Sequence, residues 1–191
     1  LRKILSAQLK KIQHISNLYN IEEQEVLSSW LTKYSCAESV FFCNSGAEAN
    51  ESAIKLIRKY GNLKKEGREA IILASKSSFH GRTLAALSAT GQPEYQRGFE
   101  PMLSGFEFFK YNDFCSIESI FEESKKNNKF ISGIIIEPIQ GEGGVIPGDK
   151  KFFQNLRKIC DKNDSLLILD EVQSGVGRTG KMWGYENLDI E

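Results

Sequence analysis

Short apolar runs alternate with amphipathic segments along most of the chain. The apolar runs predict five strands: Ser39–Cys43, Ala70–Ala74, Phe106–Phe109, Gly133–Ile136 and Ser165–Leu169. Apolar residues at helical spacing predict four intervening helices: Ala47–Tyr60, Thr83–Thr90, Ser116–Lys126 and Asp149–Lys162. Similar spacing predicts helices near residues 1–12 and 26–34. Apolar strands that are each followed by a helix are typical of an α/β fold, a mostly parallel sheet with helices on both faces.

Composition and charge exclude several classes of function. The 191 residues include 25 Lys and Arg and 25 Asp and Glu, so the formal net charge is zero. This balance disfavours a nucleic-acid partner held by a general positive field, and it disfavours a polybasic membrane anchor. The apolar runs are too short to span a bilayer. We therefore expect no nucleic-acid partner and no membrane partner.

The cysteine and histidine content argues against a metal site. The chain has four cysteines with no C-x-x-C pair, and its only histidines are His14 and His80. This set provides no ligand spacing typical of a structural zinc site, so we predict no metal. Four cysteines without such a pair are most simply interpreted as reduced thiols. Reduced thiols favour a cytoplasmic location.

Polar residues follow the predicted strands, where parallel sheets bind their ligands. Ser45-Gly46-Ala47 leads from the first predicted strand into a helix. The N–H groups of that helix start could bind a phosphate, or Ser45 could be an ordinary helix N-cap. Asp170 ends the run Leu166–Leu169 and needs a partner because a buried carboxylate is costly to desolvate. That partner could be Mg²⁺, a protonated pyridine nitrogen or a local turn.

Three other features each allow more than one interpretation. Gly175–Gly180 matches G-x-G-x-x-G, but no helical period comes after it, so we predict a loop rather than a dinucleotide site. A non-catalytic nucleotide-binding domain stays open as an alternative of a different class. His80 could be a general base or a turn residue. Arg82 could bind an anion or form an ordinary salt bridge.

Several segments, taken in order, resemble the class III pyridoxal-phosphate aminotransferases. The matching stretches are HISNLY, FFCNSGAEANESAIKLIRKYG, SSFHGRTLAALSATGQPEYQRGFEP, IIIEPIQGEGGVIPG and LLILDEVQSGVGRTGKMWGYE. They cover nearly the whole chain. The resemblance implies the large domain of a fold-type I enzyme that depends on pyridoxal 5'-phosphate.

The resemblance also implies roles for residues around the cofactor. Gly46 and Ala47 would hold its phosphate on the helix N-terminus, with Ser45 nearby. Phe79 would stack on one face of the pyridine ring, and Val172 would press against the other face.

The remaining implied roles concern the ring edge and the substrate. Asp170 would be the catalytic partner of the pyridinium N–H, and Gln173 would donate a hydrogen bond to the phenolic oxygen of the ring. Arg82 would clamp a substrate carboxylate, and Glu142 would lie near the substrate. Two further carboxylates would contact these residues rather than the cofactor or the substrate: Glu137 and Glu171.

By resemblance, the expected activity moves an amino group from N-acetylornithine to 2-oxoglutarate through the pyridoxal and pyridoxamine forms of the cofactor, a step of arginine biosynthesis. Ornithine, succinyl-diaminopimelate and 4-aminobutyrate are alternative amino donors. The family usually has two aromatic residues after SNL, whereas Asn20 follows Tyr19 here, which affects the expected substrate entrance.

The resemblance implies a homodimer built from a longer protein. Residues 1–38 would be an N-terminal helical segment, residues 39–191 a partial cofactor-binding domain, and the small C-terminal domain would be absent. The Schiff-base lysine is expected beyond Glu191, so this segment alone is expected to be inactive.

Overall fold

The structure, a computed structural model, describes residues 1–16 and 18–190. Asn17, in the HISNLY segment, and Glu191, the last residue of the predicted large domain, lie outside the described residues. Contacts divide the chain into two compact units, Leu1–Phe42 and Cys43–Glu191. The first unit contains helices α1 (Arg2–Leu9) and α2 (Glu22–Lys33), neither of which has a buried residue. The assignment of domain roles to residues 1–38 and 39–191 stays a prediction.

The second unit alternates strands and helices. Its elements are, in order, α3 (Gly46–Lys64), β1 (Glu69–Ser75), α4 (Leu84–Ala89), α5 (Pro93–Gln96), β2 (Phe106–Phe109), α6 (Phe114–Lys126), β3 (Lys129–Ile136), β4 (Ile139–Gln140), β5 (Ile146–Pro147), α7 (Lys150–Lys162) and β6 (Leu166–Leu169). A short 3₁₀ helix, Gly184–Asn187, comes last. None of the described helices combines the length and the apolar character that crossing a membrane requires.

The main sheet has the strand order β2-β1-β3-β6, and every neighbouring pair is parallel. Because all four strands run the same way, their carboxyl ends meet at one edge. The segments after β1, β3 and β6 therefore leave the sheet from that edge. The predicted α/β fold with a mostly parallel sheet is confirmed.

Both faces of the sheet are buried, which explains why its strands are apolar at successive positions. Ile71 and Leu73 of β1 belong to a core cluster that also includes Phe153 of α7. The alternate residues Ile72 and Ala74 belong to a second cluster, with residues of α3. Since side chains alternate across a strand, only a sheet covered on both faces needs this continuous pattern.

The prediction of a strand over Ser39–Cys43 is wrong. These residues have no regular secondary structure and pair with no strand of the described chain. The Phe41 side chain is 70% exposed, so the apolar run is not buried as a core strand would be. A strand requires a neighbour to accept and donate its hydrogen bonds, and an apolar run alone does not supply one. An irregular segment, rather than a strand, therefore leads into α3.

The structure adds a hairpin that was not predicted. β4 pairs antiparallel with β5, and the turn between them contains Glu142, Gly143 and Gly144. Gly144 has a φ of +116°, a conformation that glycine adopts without steric cost. The hairpin comes after β3, Glu137 and Pro138, so it rises from the carboxyl edge of the sheet and carries Glu142 there.

Candidate active site

The start of α3 is a capped helix with two N–H groups left over. The Ser45 Oγ accepts a hydrogen bond from the Glu48 N–H at 3.2 Å, so Ser45 is the N-cap. The N–H groups of Gly46 and Ala47 have no acceptor inside the helix, because the first turn of any helix lacks preceding carbonyls. The cap and the anion site are therefore compatible, and the positive end of a 19-residue helix faces that position.

Two segments distant in sequence pack against this helix start. A Cβ atom at Gly46 would lie 2.7 Å from both methyl carbons of Val172, a residue just after β6. A Cβ atom at Gly81, a residue after β1, would lie 2.9 Å from the Cβ atom of Ala47. Glycine is required at both places by this close approach. The ends of β1 and β6 and the start of α3 thus meet at one place.

Asp170 is the best-held polar group at this place. Its N–H donates to the Ile136 carbonyl at 2.8 Å, which extends the pairing of β6 with β3 by one residue. Its carboxylate is buried, and Oδ2 accepts from Asn50 Nδ2 at 2.8 Å and contacts His80 Nδ1 at 2.7 Å. Oδ1 accepts from the Val172 N–H at 3.1 Å. No Lys or Arg of the described chain forms an ion pair with this carboxylate.

The His80 ring contacts Asp170 and is not placed to act as a solvent-facing base. Its side chain is fully buried. Nδ1 faces Asp170 Oδ2, and we assign a proton to this nitrogen because a carboxylate accepts hydrogen bonds. Nε2 is buried and has no hydrogen-bond partner among the described residues. Neither interpretation from the sequence, a general base or a turn residue, included this contact.

Asn50 was missed by the sequence analysis. Its Nδ2 donates both to Asp170 and to the His80 carbonyl, the latter at 2.7 Å, so one amide joins the two residues. A signal was present, because Asn50 shares the buried stripe of α3 with Ile54 and Ile57 at positions i, i+4 and i+7. A polar residue in an apolar helical stripe indicates a buried hydrogen-bond partner.

The Glu137 carboxylate holds the backbone of Phe79 in place. Its Oε1 accepts from the Phe79 N–H at 3.0 Å, and its Oε2 accepts from the Gly141 N–H at 3.2 Å. Burial raises the pKa of Glu137 and outweighs these two hydrogen bonds, which act in the opposite direction. The Phe79 ring is half-buried and makes an edge contact with the Tyr95 ring, at 5.6 Å between centroids.

The predicted substrate-binding residues are exposed. The Arg82 guanidinium lies 5.8 Å from the centre of the Tyr95 ring. Within residues 1–16 and 18–190, no carboxylate lies at ion-pair distance from Arg82. Arg82 therefore does not form an ordinary salt bridge with this part of the chain. Glu142 is exposed in the β4–β5 turn, and the exposed Gln173 packs its amide against Gly141.

Glu171 and the glycine-rich motif form a separate group. The Glu171 carboxylate accepts hydrogen bonds from Ser174, Gly184 and Tyr185, and none from the residues around Asp170. Gly175–Gly180 consists of turns, and the next helical element along the chain is the 3₁₀ helix rather than an α-helix. A dinucleotide fingerprint must open an α-helix, so the geometry does not support that alternative.

The donor set fits pyridoxal phosphate. Asp170 Oδ1 accepts one hydrogen bond, and a carboxylate oxygen has room for two, so it can accept another from a ring N–H. The free N–H groups at the start of α3 suit a phosphate. Phe79 supplies an aromatic ring, and its backbone is held by the Glu137 carboxylate, next to His80, whose carbonyl accepts from Asn50.

Comparison with known proteins agrees with this geometry. The profile of the family "Aminotransferase class-III" matches residues 1–191. Acetylornithine aminotransferase from Prochlorococcus marinus subsp. pastoris is 78% identical over 191 residues, which is 100% of this chain and 46% of that protein. The protein of the same name from Synechocystis sp. is 54% identical over 190 residues, 99% of this chain and 44% of its own length. The chain thus spans somewhat less than half the length of these relatives.

Solved structures give the same result. The crystal structure of N-acetylornithine aminotransferase from Stenotrophomonas maltophilia K279a has a TM-score of 0.79 at 34% identity, over 99% of this chain and 45% of the other. Ornithine aminotransferase from Toxoplasma gondii ME49 has a TM-score of 0.89 at 27% identity, over 99% and 44%. A second structure of the Toxoplasma gondii enzyme has partial occupancy of PLP at its active site. On the family match over its whole length, this chain belongs to the class-III aminotransferases.

Proposed function

We propose that the full protein is a pyridoxal-phosphate aminotransferase that moves an amino group from N-acetylornithine to 2-oxoglutarate. The observation that carries the proposal is Asp170, a buried carboxylate at a strand end that has no Lys or Arg ion partner in the described residues. The choice of N-acetylornithine is supported by the names of the relatives at 54% and 78% identity. The names of the structural neighbours support an aminotransferase more generally.

In this proposal, the chain binds the cofactor through its phosphate group and through its ring nitrogen. The N–H groups of Gly46 and Ala47 hold the phosphate, and Ser45 keeps the helix start in place through its capping bond. Asp170 accepts a hydrogen bond from the protonated ring nitrogen and stabilises its charge. When bound, pyridoxal phosphate supplies the electron sink for bond breaking at the α-carbon of the amino acid.

Three side chains orient the ring in this proposal. Phe79 packs on one face, and its backbone is fixed by the buried Glu137. Val172 packs on the other face, since it already lies against the start of α3. Gln173 would donate from its side-chain amide to the phenolic oxygen, and this amide lies beside Gly141 at the same edge of the sheet.

The substrate is held by exposed groups. Arg82 is a cation without an ion pair in the described chain, and its planar guanidinium can bind a carboxylate through two parallel hydrogen bonds. Glu142 lies in the turn of the hairpin that rises from the same sheet edge, where a carboxylate can face the amino group or the extended side chain of a substrate. Both residues are therefore assigned to substrate rather than to cofactor.

The proposal includes a cytoplasmic homodimer in which a lysine beyond Glu191 binds the cofactor covalently. The dimer is what the resemblance to the class III aminotransferases implies. Sedimentation of the full-length protein tests the dimer. Borohydride reduction of the holoenzyme and then peptide mapping test the position of the lysine.

A substrate panel tests the activity itself. The full-length protein, loaded with pyridoxal phosphate, is assayed for glutamate formation from 2-oxoglutarate with N-acetylornithine, ornithine, succinyl-diaminopimelate or 4-aminobutyrate as donor. We expect the highest kcat/KM with N-acetylornithine. A higher kcat/KM with another donor would replace the substrate assignment, and no glutamate with any donor would contradict the proposed activity.

A further inference from the structure

Glu171 comes directly after Asp170, yet its carboxylate joins two ends of a later loop. Oε2 accepts hydrogen bonds from the Ser174 hydroxyl at 2.6 Å and from the Gly184 N–H at 2.9 Å. Oε1 accepts from the Tyr185 N–H at 2.8 Å. We call residues 174–184 the Glu171 loop. One carboxylate therefore holds both the beginning and the end of this loop.

Close packing accompanies these hydrogen bonds. A Cβ atom at Gly184 would lie 2.9 Å and 3.1 Å from the two carboxylate oxygens of Glu171. A Cβ atom at Gly175 would lie 3.0 Å from the Glu171 carbonyl oxygen and 3.2 Å from the Trp183 ring. Any other residue at either position would have to displace its neighbours. These glycines are thus explained by the closure of the loop rather than by a phosphate-binding motif.

The outer part of the loop has little internal support. Val176, Gly177 and Gly180 have φ angles of +54°, +84° and +88°, and Val176 is 71% exposed. Three backbone N–H groups of this part donate within the loop: Gly177 to Met182 at 3.1 Å, Arg178 to Gly175 at 3.4 Å and Gly180 to Gly177 at 3.2 Å. One side-chain bond, from Asn187 Nδ2 to Thr179 Oγ1 at 3.0 Å, joins it to the 3₁₀ helix. Non-glycine residues rarely adopt positive φ without surrounding structure to hold them. The shape of the outer loop therefore depends on its ends.

The two ends of the loop are held in different ways. Leu188 and Ile190, just after the loop, are each 6% exposed and belong to the main core cluster. Just before the loop, the Val172 and Gln173 side chains are both exposed, whereas the Val172 N–H donates to the buried Asp170 carboxylate and Ser174 is buried. The Glu171 carboxylate links Ser174, at the start of the loop, to the 3₁₀ helix that comes before Leu188 and Ile190.

We propose that Glu171 is a positioning residue that fixes the backbone of Val172 and Gln173. The inference rests on the proposed function, in which these two residues contact the cofactor ring. Val172 lies against Gly46, and Gln173 lies against Gly141, so a shift of their backbone changes contacts with the α3 start and with the β4–β5 hairpin. Glu171 itself does not need to touch the cofactor.

The first measurement needs no cofactor. The outer loop contains two exposed trypsin sites, Arg178 and Lys181. In the native full-length protein, Glu171→Gln should raise the cleavage rate at these two sites about tenfold, the effect expected when hydrogen bonds to a charged acceptor are lost. Ser174→Ala removes one of the three hydrogen bonds and should give about a threefold increase. Asp161→Asn, an exposed carboxylate of α7, is the matched control and should not change cleavage.

The second measurement reads the cofactor in the same variants. With the site saturated, Glu171→Gln should change the circular dichroism of the bound cofactor's visible band and weaken cofactor binding about fivefold, while the melting temperature stays near that of Asp161→Asn. A purely structural role would lower the melting temperature without changing this band. Ser174→Ala keeps the inference testable if Glu171→Gln folds poorly, because it should show the smaller change in both measurements.

The outcomes separate this inference from the proposed function. Faster cleavage together with an altered cofactor band supports the inference. Unchanged cleavage overturns it, because the carboxylate would then not hold the loop. Faster cleavage with an unaltered band and affinity also overturns it, because the loop would then not position Val172 and Gln173. A wild-type protein that binds no pyridoxal phosphate contradicts the proposed function, and the cleavage measurement would still report on the loop.

Discussion

The carboxylates at the ends of β3 and β6 differ sharply from the charged groups proposed to meet the substrate. Glu137 and Asp170 are 4% and 7% exposed, and each accepts hydrogen bonds from at least two residues of this chain. Arg82 and Glu142 lie near the same sheet edge, but both are exposed. Neither has an ion pair in the described residues.

This difference suggests that the buried and the exposed charged groups have different roles. Buried, hydrogen-bonded carboxylates hold their geometry before any ligand arrives, which is what electrostatic stabilisation of a reacting group requires. Exposed side chains keep their rotamer freedom until a ligand orders them. Changes in the first group should therefore alter turnover or stability, whereas changes in the second group should alter the Michaelis constant of a substrate.

The most damaging change should be Asp170→Asn in the full-length enzyme. The amide cannot carry the negative charge that stabilises a protonated ring nitrogen, although it keeps the size of the side chain. We expect kcat to fall about 100-fold or more, by analogy with the loss of an electrostatic stabiliser. Steady-state assays with N-acetylornithine and 2-oxoglutarate measure this. A variant with the turnover of the wild type would remove Asp170 from its proposed role.

Arg82→Lys should have a smaller and different effect. Lysine keeps the positive charge but loses the planar pair of donors that matches a carboxylate. The KM of the substrate bound by this clamp should rise about tenfold, while kcat changes by less than about threefold. Measuring KM for both substrates identifies which carboxylate is bound. A loss confined to kcat would contradict the contrast drawn between Arg82 and Asp170.

The fold could largely be predicted because its signal is local. Four of the five predicted strands are present, and β1, for example, has continuous apolar residues because both of its faces are buried. Ser39–Cys43 shows where this reasoning fails, since the run has the composition of a strand but no strand of the described chain pairs with it. Pairing is a non-local property that the composition of one segment does not contain.

The site could be predicted only where it depends on the local sequence. The strand-end rule placed Glu137 and Asp170 at one edge, because each comes directly after its strand. The buried stripe of α3 indicates that Asn50 has a partner, but the sequence does not say which one. Two of the three hydrogen bonds of the Asp170 carboxylate join residues 90 and 120 positions apart. Glu171 likewise bonds to residues 13 and 14 positions later, across a loop without a period.

The smallest expected effect concerns the pH dependence of stability. Burial raises the pKa of Glu137, so protonation of this group favours the folded state. Its contribution to the free energy of unfolding is fully present below the ordinary carboxyl pKa and is lost as pH rises through the raised value. Glu137→Gln does not titrate. The difference in melting temperature, wild type minus variant, should therefore grow by a few degrees when pH is lowered from about 8 to about 5.

The pH-dependent part of that difference separates titration from geometry. The Gln side-chain amide would place an NH₂ group against the N–H of either Phe79 or Gly141, and this cost is the same at every pH. Glu142→Gln in the exposed hairpin turn is the control, because it replaces a carboxylate that is not buried. Its difference from the wild type should stay constant between the two pH values. If the Glu137→Gln difference is also constant, Glu137 is not titrating as a buried carboxylate, and the contrast between buried and exposed groups fails at this residue.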